Sequence, residues 1–220
     1  MNCKSLGKQL ARKVAGKFLV FDGPDGCGKS TQLRLLAEEL DRRNVPPVRV
    51  RDPGDTRVGD AIRAILLGRD HEDREIRCEL MLFMASRAQL VAEKIRPALA
   101  AGKTVLCDRY VSASCAYQGA GGVKVSDILD LAQFATRNTW PDLTVVLDVP
   151  AQLGLQRVRN QRQDTHDAME RRGLDYHERV RDLFLKLPQI YPKPVVVVDA
   201  RAEIEAVRDR IWEALANVDY

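Results

Sequence analysis

The stretch Gly23-Pro24-Asp25-Gly26-Cys27-Gly28-Lys29-Ser30, followed by Thr31, constrains this chain more than any other. It fits G-x-x-x-x-G-K-[ST], a phosphate-binding loop. The apolar run Phe18 to Phe21 precedes it, and Leu33, Leu36, Ala37 and Leu40 follow at helical spacing. The local frame is therefore strand, tight turn, helix. Gly23, Gly26 and Gly28 permit backbone conformations closed to residues with a Cβ, so successive N–H groups can turn toward one anion. The helix start behind them adds unpaired donors and a positive dipole end. Lys29 is spaced to reach the β- and γ-phosphates of a nucleoside triphosphate, and Ser30 to offer its hydroxyl to Mg²⁺. A bare strand-to-helix turn does not explain three glycines together with Lys-Ser.

Four further β-like runs, at Val48–Arg51, Thr104–Cys107, Leu143–Val149 and Val195–Val198, alternate with helical patterns. Such alternation predicts an α/β fold of three layers, a five-stranded parallel sheet flanked by helices. Helices are expected from Lys29 to about Arg43, around Val58–Leu66, from about Glu75 to Ala101 with a kink at Pro97, and over 126–138. Three more are expected from Gln152 to about Arg159, over 175–187 and over 202–217. Gly119-Ala-Gly-Gly122 reads as a flexible loop. The polar, basic residues 1–16 read as a flexible tail, and 17–220 as one domain with a mobile lid at about 157–173. Ligands of parallel sheets sit at the carboxyl ends of the strands. Asp22–Lys29, Arg51–Asp55, Asp108-Arg109-Tyr110 and Asp148 all follow strands directly, so they are expected to converge.

A formal net charge of +4 fits a handler of anionic small molecules and does not demand nucleic acid. The cysteines are five, Cys3, Cys27, Cys78, Cys107 and Cys115, without metal spacing; they read as reduced thiols of a cytoplasmic protein. No run of 18 apolar residues suggests a membrane span, and no apolar signal core is seen at the N-terminus.

Phosphoryl transfer needs a metal, charge neutralisation and an in-line acceptor. Ser30 and Asp108 are the candidate Mg²⁺ residues, and Lys29 holds the donor. Arg51 and Arg109 can grip an acceptor phosphate through bidentate contacts. A local ion pair is the plainer reading of Asp108-Arg109. Asp25 is an acid inside an anion-binding loop, a local conflict of the kind functional sites carry; it can accept from a substrate hydroxyl. Phe83 and Arg87 share a helix face and could stack on and hydrogen-bond a base, although periodicity alone makes Phe83 core and Arg87 a solvated neighbour. Arg157, Arg159, Arg162, Arg171 and Arg172 form a basic stretch. Interspersed acids and the lack of an aromatic weaken a nucleic-acid reading. A lid bringing an arginine onto the transferring phosphate fits better.

Taken together, these blocks resemble the thymidylate kinases, ATP:dTMP phosphotransferases of the P-loop nucleoside-monophosphate kinase group. The likeness runs from about 17 to 190. It rests on Phe21–Thr31, Arg-Asp-Pro-Gly-Asp-Thr (51–56), Leu-Phe-Met-Ala-Ser-Arg (82–87), Asp-Arg-Tyr (108–110), Ala-Tyr-Gln-Gly (116–119) and 141–149. The resemblance implies that Asp25 approaches the dTMP sugar, Phe83 stacks on thymine and Arg87 bonds the base. It puts Arg109 and Arg51 near the acceptor phosphate, and Ser114, Tyr117 and Gln118 along the base and sugar pocket. It implies ATP and Mg²⁺ as cofactors, dTMP as substrate, Lys29, Asp108, Arg109 and Asp25 in catalysis, and a homodimer through the long helices. Gly26 follows Asp25 where some members place a catalytic arginine, so this chain resembles the lid-arginine type, with Arg162 first, Arg159 next and Arg157 after. Two departures stand out. Asp52 and Asp55 replace a Glu and a Gly common in relatives, and Asp167-Ala168-Met169-Glu170 lacks the arginine of Asp-Arg-x-Glu.

The competing readings are a kinase for another nucleotide or nucleoside, such as dUMP or thymidine, a nucleotide-switch GTPase, and a nucleic-acid-binding ATPase. The GTPase lacks its Asn-Lys-x-Asp motif here.

Overall fold

The computed structural model describes residues 3–68, 73–161 and 172–218. Its five strands are β1 (Phe18–Asp22), β2 (Val48–Arg51), β3 (Val105–Asp108), β4 (Leu143–Asp148) and β5 (Val195–Asp199), all parallel, in the order β2-β3-β1-β4-β5. β1 is buried along its whole length, as a central parallel strand with both faces covered must be.

Alternation along β1 divides the core in two. Phe18 and Val20 join one cluster with Val105, Cys107 and Val146. It is covered by α4 (Ile76–Leu90), α6 (Val111–Ala120), α7 (Val125–Ala135) and α9 (Leu174–Ile190). Leu19 and Phe21 face the other side with Leu143, Val145 and Leu147. That side is closed by α2 (Lys29–Arg42), α10 (Ile204–Asn217) and an N-terminal helix, α1 (Cys3–Val14).

α1 corrects the expected flexible tail. Its polar composition hides a narrow apolar stripe: Leu10, Ala11 and Val14 are buried in the second cluster, and Lys13 Nζ donates to the Val218 carbonyl at 3.1 Å. Burying two large aliphatic side chains is worth about 1.5–3 kcal/mol each, enough to hold twelve residues on the domain.

α6 is a helix where only a loop was expected near Gly119. Residues Val111 to Gln118 are all buried, so the helix has no polar face and no amphipathic period to detect. The long pattern over 75–101 is broken as Pro97 foretells. α4 gives way to a wider π-type turn at Val91–Ile95, and α5 (Arg96–Ala100) restarts with proline in its first turn. α3 (Arg57–Leu67) and α8 (Ala151–Gln161) complete the helices used below.

Candidate active site

The register of the sheet sets the site. Arg51 lies opposite Asp108, which lies opposite Phe21, beside Asp22. Every strand end points to one edge, and a cleft of about 610 Å³ opens there. The residues Asp25 to Thr31, Arg51, Phe83, Arg87, Asp108, Arg109, Ser114 and Tyr117 all line it. Gly23 and Pro24 are buried behind the loop, and Gln118 is turned away from the cleft; these three do not line it.

The loop is shaped by its glycines. Gly23, Gly26 and Gly28 have φ of 137°, 71° and 92°, and the helix after them begins at Lys29. A Cβ on Gly26 would run into the Gly154 carbonyl at the start of α8, and one on Gly154 into the Asp25 carbonyl. The two backbones therefore touch, which locks the loop to α8. Lys29 Nζ lies 3.8 Å from Cys27 Sγ. Burial pushes the Cys27 thiol up in pKa, with Lys29 only partly opposing it, so Cys27 is a small space-filler and not an activated thiolate. Ser30 Oγ sits 3.4 Å from Asp108 Oδ2, both facing the cleft. A hydroxyl and a carboxylate are hard oxygen donors, and two of them suit Mg²⁺, which draws its remaining ligands from phosphates and water.

Arg109 is the crossing point of the site. Its backbone turns through φ of 68° between β3 and α6, a left-handed conformation that costs about 1 kcal/mol outside glycine. This turn sends the guanidinium across the loop. Nη1 donates to Asp22 Oδ1 at 3.1 Å and to the Gly23 carbonyl at 3.0 Å. Nη2 donates to Asp25 Oδ1 at 2.6 Å and to the Tyr117 hydroxyl at 3.1 Å. The guanidinium also lies over the Tyr117 ring, 4.9 Å from its centre.

The two acids of this cluster are driven apart. Burial raises the Asp22 carboxyl above the ordinary range, against Arg109 and the Ser112 hydroxyl at 2.7 Å. Burial also opposes charge on Asp25, but Arg109 and Lys29 outweigh it and hold its pKa below the ordinary value. Asp25 Oδ2 is buried and carries no hydrogen-bond partner, so the loop acid retains an unused acceptor.

Phe83 and Arg87 reverse the expectation from periodicity. Both line the cleft, but Phe83 is only half-buried whereas Arg87 is buried in its wall. Arg87 Nε donates to Asp52 Oδ2 at 2.5 Å, and Nη2 to the Tyr110 carbonyl and Ser114 Oγ, both at 3.1 Å. Asp52 is the acid that departs from the common Glu, and it is the counter-ion of this buried arginine. Asp55 does not stand free near a phosphate; it accepts from the Arg51 backbone N–H at 2.7 Å and pairs with its guanidinium at 3.6 Å.

Several cleft residues escaped the sequence reading. Arg63, on α3, lines the cleft and donates to the Pro53 carbonyl at 2.9 Å; it is one basic residue among many on an amphipathic helix, so nothing marked it. Asp22, expected at this edge because it ends β1, is buried behind the cleft and does not line it. At the other end of the cleft, Arg157 donates to the Ala200 and Arg201 carbonyls at 3.2 and 3.3 Å. Of the three lid-arginine candidates, Arg157 thus lines the donor end, Arg159 is exposed, and Arg162 lies outside the described residues.

Known proteins are similar to this chain over most of its length. The sequence model of the family described as thymidylate kinase matches residues 21–211. The thymidylate kinase of Latilactobacillus sakei subsp. sakei is 38% identical over 208 residues, covering 94% of this chain and 97% of that protein. The thymidylate kinase of an Exiguobacterium species is 43% identical over 201 residues, covering 91% and 94%. Among solved structures, thymidylate kinase from Ehrlichia chaffeensis superposes with a TM-score of 0.73 at 28% identity, covering 90% of this chain and 98% of that one.

Proposed function

The chain belongs to the thymidylate kinase family, and on that premise we propose that it transfers the γ-phosphoryl group of ATP to dTMP, yielding ADP and dTDP. One observation carries the reading. The phosphate-binding loop and the side chains of Phe83, Arg87 and Ser114 line a single cleft, and Arg109 ties the two parts together by gripping Asp25 within the loop. A nucleotide switch needs no such aromatic and basic lining beyond the phosphate loop.

The loop N–H groups and Lys29 hold the donor phosphates, and Arg157 flanks its nucleoside end. Ser30 and Asp108 would hold Mg²⁺, which when bound neutralises charge on the donor phosphates. The dTMP phosphate attacks in line with Arg51, Arg63 and Arg109 around it. The attacking oxygen is already anionic, so no general base is required; these residues act by orientation and charge compensation. Asp25 accepts from a sugar hydroxyl, Phe83 stacks on the base, and Arg87, fixed by Asp52, reads its edge. Tyr117 borders the sugar through its contact with Arg109. Gln118, as part of α6 beneath the pocket, supports it from behind.

We assign the protein to the cytoplasm: Cys27, Cys78, Cys107 and Cys115 are free thiols, and no helix among the described residues is long and apolar enough to cross a membrane. A homodimer is supported by the exposed apolar side chains Met81 on α4 and Phe134 on α7, the latter 86% exposed. Coupled ADP release with dTMP, dUMP, thymidine, AMP and GMP as acceptors tests the reading. Turnover is expected on dTMP above all others; turnover on AMP or GMP with none on dTMP overturns it.

A further inference from the structure

Glu79 has no place in the chemistry above, yet its buried carboxylate meets three partners outside the cleft. It sits in the first turn of α4 with its side chain 1% exposed. Oε1 accepts from Gln118 Nε2 at 2.9 Å. Oε2 accepts from Arg172 Nη2 at 2.8 Å and lies 3.4 Å from Arg74 Nε. One carboxylate therefore joins three segments. Arg74 caps the end of α3 through the Ile65 and Leu66 carbonyls at 3.3 and 2.5 Å. Gln118 belongs to α6, and Arg172 stands just before α9.

The chain of contacts continues toward the cleft. Arg172 Nη1 donates to the Tyr176 hydroxyl at 2.7 Å, and its guanidinium lies 4.7 Å from the centre of that ring. The Tyr176 hydroxyl donates to the Tyr117 carbonyl at 2.8 Å. Tyr117 lines the cleft, and its own hydroxyl and ring receive Arg109. Arg109 in turn holds Asp25. Glu79 is thus linked to the loop acid by two runs of polar contacts joined through Tyr117, whose carbonyl ends one and whose hydroxyl begins the other.

Energetics argue that this is more than packing. A buried carboxylate shared by two guanidiniums costs several kcal/mol of desolvation per ion, and apolar side chains of similar volume would fill the space as well or better. What the polar arrangement adds is direction: a carboxylate only accepts, so it dictates which face of each partner points at it. It orients the Gln118 amide with its nitrogen inward. It also fixes Arg172 so that the other arm of its guanidinium meets Tyr176. The consequence falls on Tyr117, whose main chain is tied from below while its side chain supports Arg109 above.

We propose that Glu79 and Arg172 are positioning residues of the acceptor site, acting through Tyr176 on Tyr117 and Arg109. Neither touches the cleft. Their effect is confined to the acceptor half, because the donor end is built from α2, α8 and the segment after β5. The inference rests on dTMP being the acceptor.

Steady-state kinetics on the full chain test it, with thermal melting run alongside. Arg172→Met removes the contacts to Glu79 and Tyr176. Tyr176→Phe keeps the ring and deletes the hydroxyl that reaches Tyr117. Networked side chains couple strongly enough for each to raise KM for dTMP by roughly 5- to 10-fold. KM for ATP should stay within about twofold, and Arg172→Lys should fall between wild type and Arg172→Met. Since Tyr176→Phe deletes one oxygen, it preserves a test if Arg172→Met folds poorly. A KM for dTMP within twofold of wild type in folded Tyr176→Phe overturns the proposal. So does an equal rise in both KM values, which would mark a general structural role. Absence of dTMP turnover in the wild type is a different failure and removes the kinase reading itself.

Discussion

Asp52 and Arg87 form a fully buried ion pair at the base of the acceptor pocket, and its removal has a calculable cost. Their atoms meet at 2.5 Å, with side-chain exposures of 0% and 1%. Burial pushes the Asp52 carboxyl up in pKa, and Arg87 opposes this. Asp52→Ala leaves the guanidinium with the Tyr110 carbonyl, Ser114 Oγ and Met84 Sδ but no counter-charge. Breaking a buried pair by removing one partner costs about 3–5 kcal/mol. In a domain of this size each kcal/mol lowers the melting temperature by about 2–4 °C, so a drop of roughly 10 °C is expected. Asp52→Asn keeps one oxygen to accept from Nε and should lose about half as much. Circular dichroism melts with and without dTMP provide the assay, and dTMP should stabilise Asp52→Ala less than wild type. A melting temperature within 2 °C of wild type for Asp52→Ala would refute the reasoning, since the pair would then contribute nothing that Arg87 cannot recover from its other partners.

Phe83→Ala should raise KM for dTMP by about tenfold, the scale of one base–aromatic stack, and leave KM for ATP unchanged; equal losses for both would return Phe83 to the core. Leu10→Ala should lower the melting temperature by roughly 5–10 °C, from a cavity cost of about 2–4 kcal/mol at a fully buried site. A change under 1 °C would mean that α1 does not dock. The Asp25 carboxyl is held below 3.8 when folded, so it contributes stability above that pH that is lost as the pH falls through the lower folded value. Wild type and Asp25→Asn should therefore converge in melting temperature as the pH is taken below 3.8, and a constant gap would contradict that assignment.

Much of this was legible in the chain. The phosphate loop, the five parallel strands and the convergence of Asp25, Arg51, Asp108 and Arg109 follow from local signals: glycine spacing, apolar runs and the rule that strand ends face the ligand. The failures share a cause. α1 is too polar on average for its stripe of Leu10 and Val14 to register, and α6 is too uniformly buried to show any stripe. Arg87 looked solvated because its charge suggested water; only the tertiary pairing with Asp52, 35 residues away, made burial possible. Glu79 was invisible for the same reason, as its partners come from 5, 39 and 93 positions away. Helical periodicity reports which face is wet, and it has no means of reporting a charge matched by distant opposite charges.

The central claim is phosphoryl transfer to dTMP, and product analysis tests it most directly. Purified protein with ATP, Mg²⁺ and dTMP should form dTDP and ADP in equal amounts by ion-exchange chromatography. Lys29→Ala should melt like wild type and form neither. ADP released without dTDP would make this an ATPase, and no product from a folded wild-type enzyme would contradict the account.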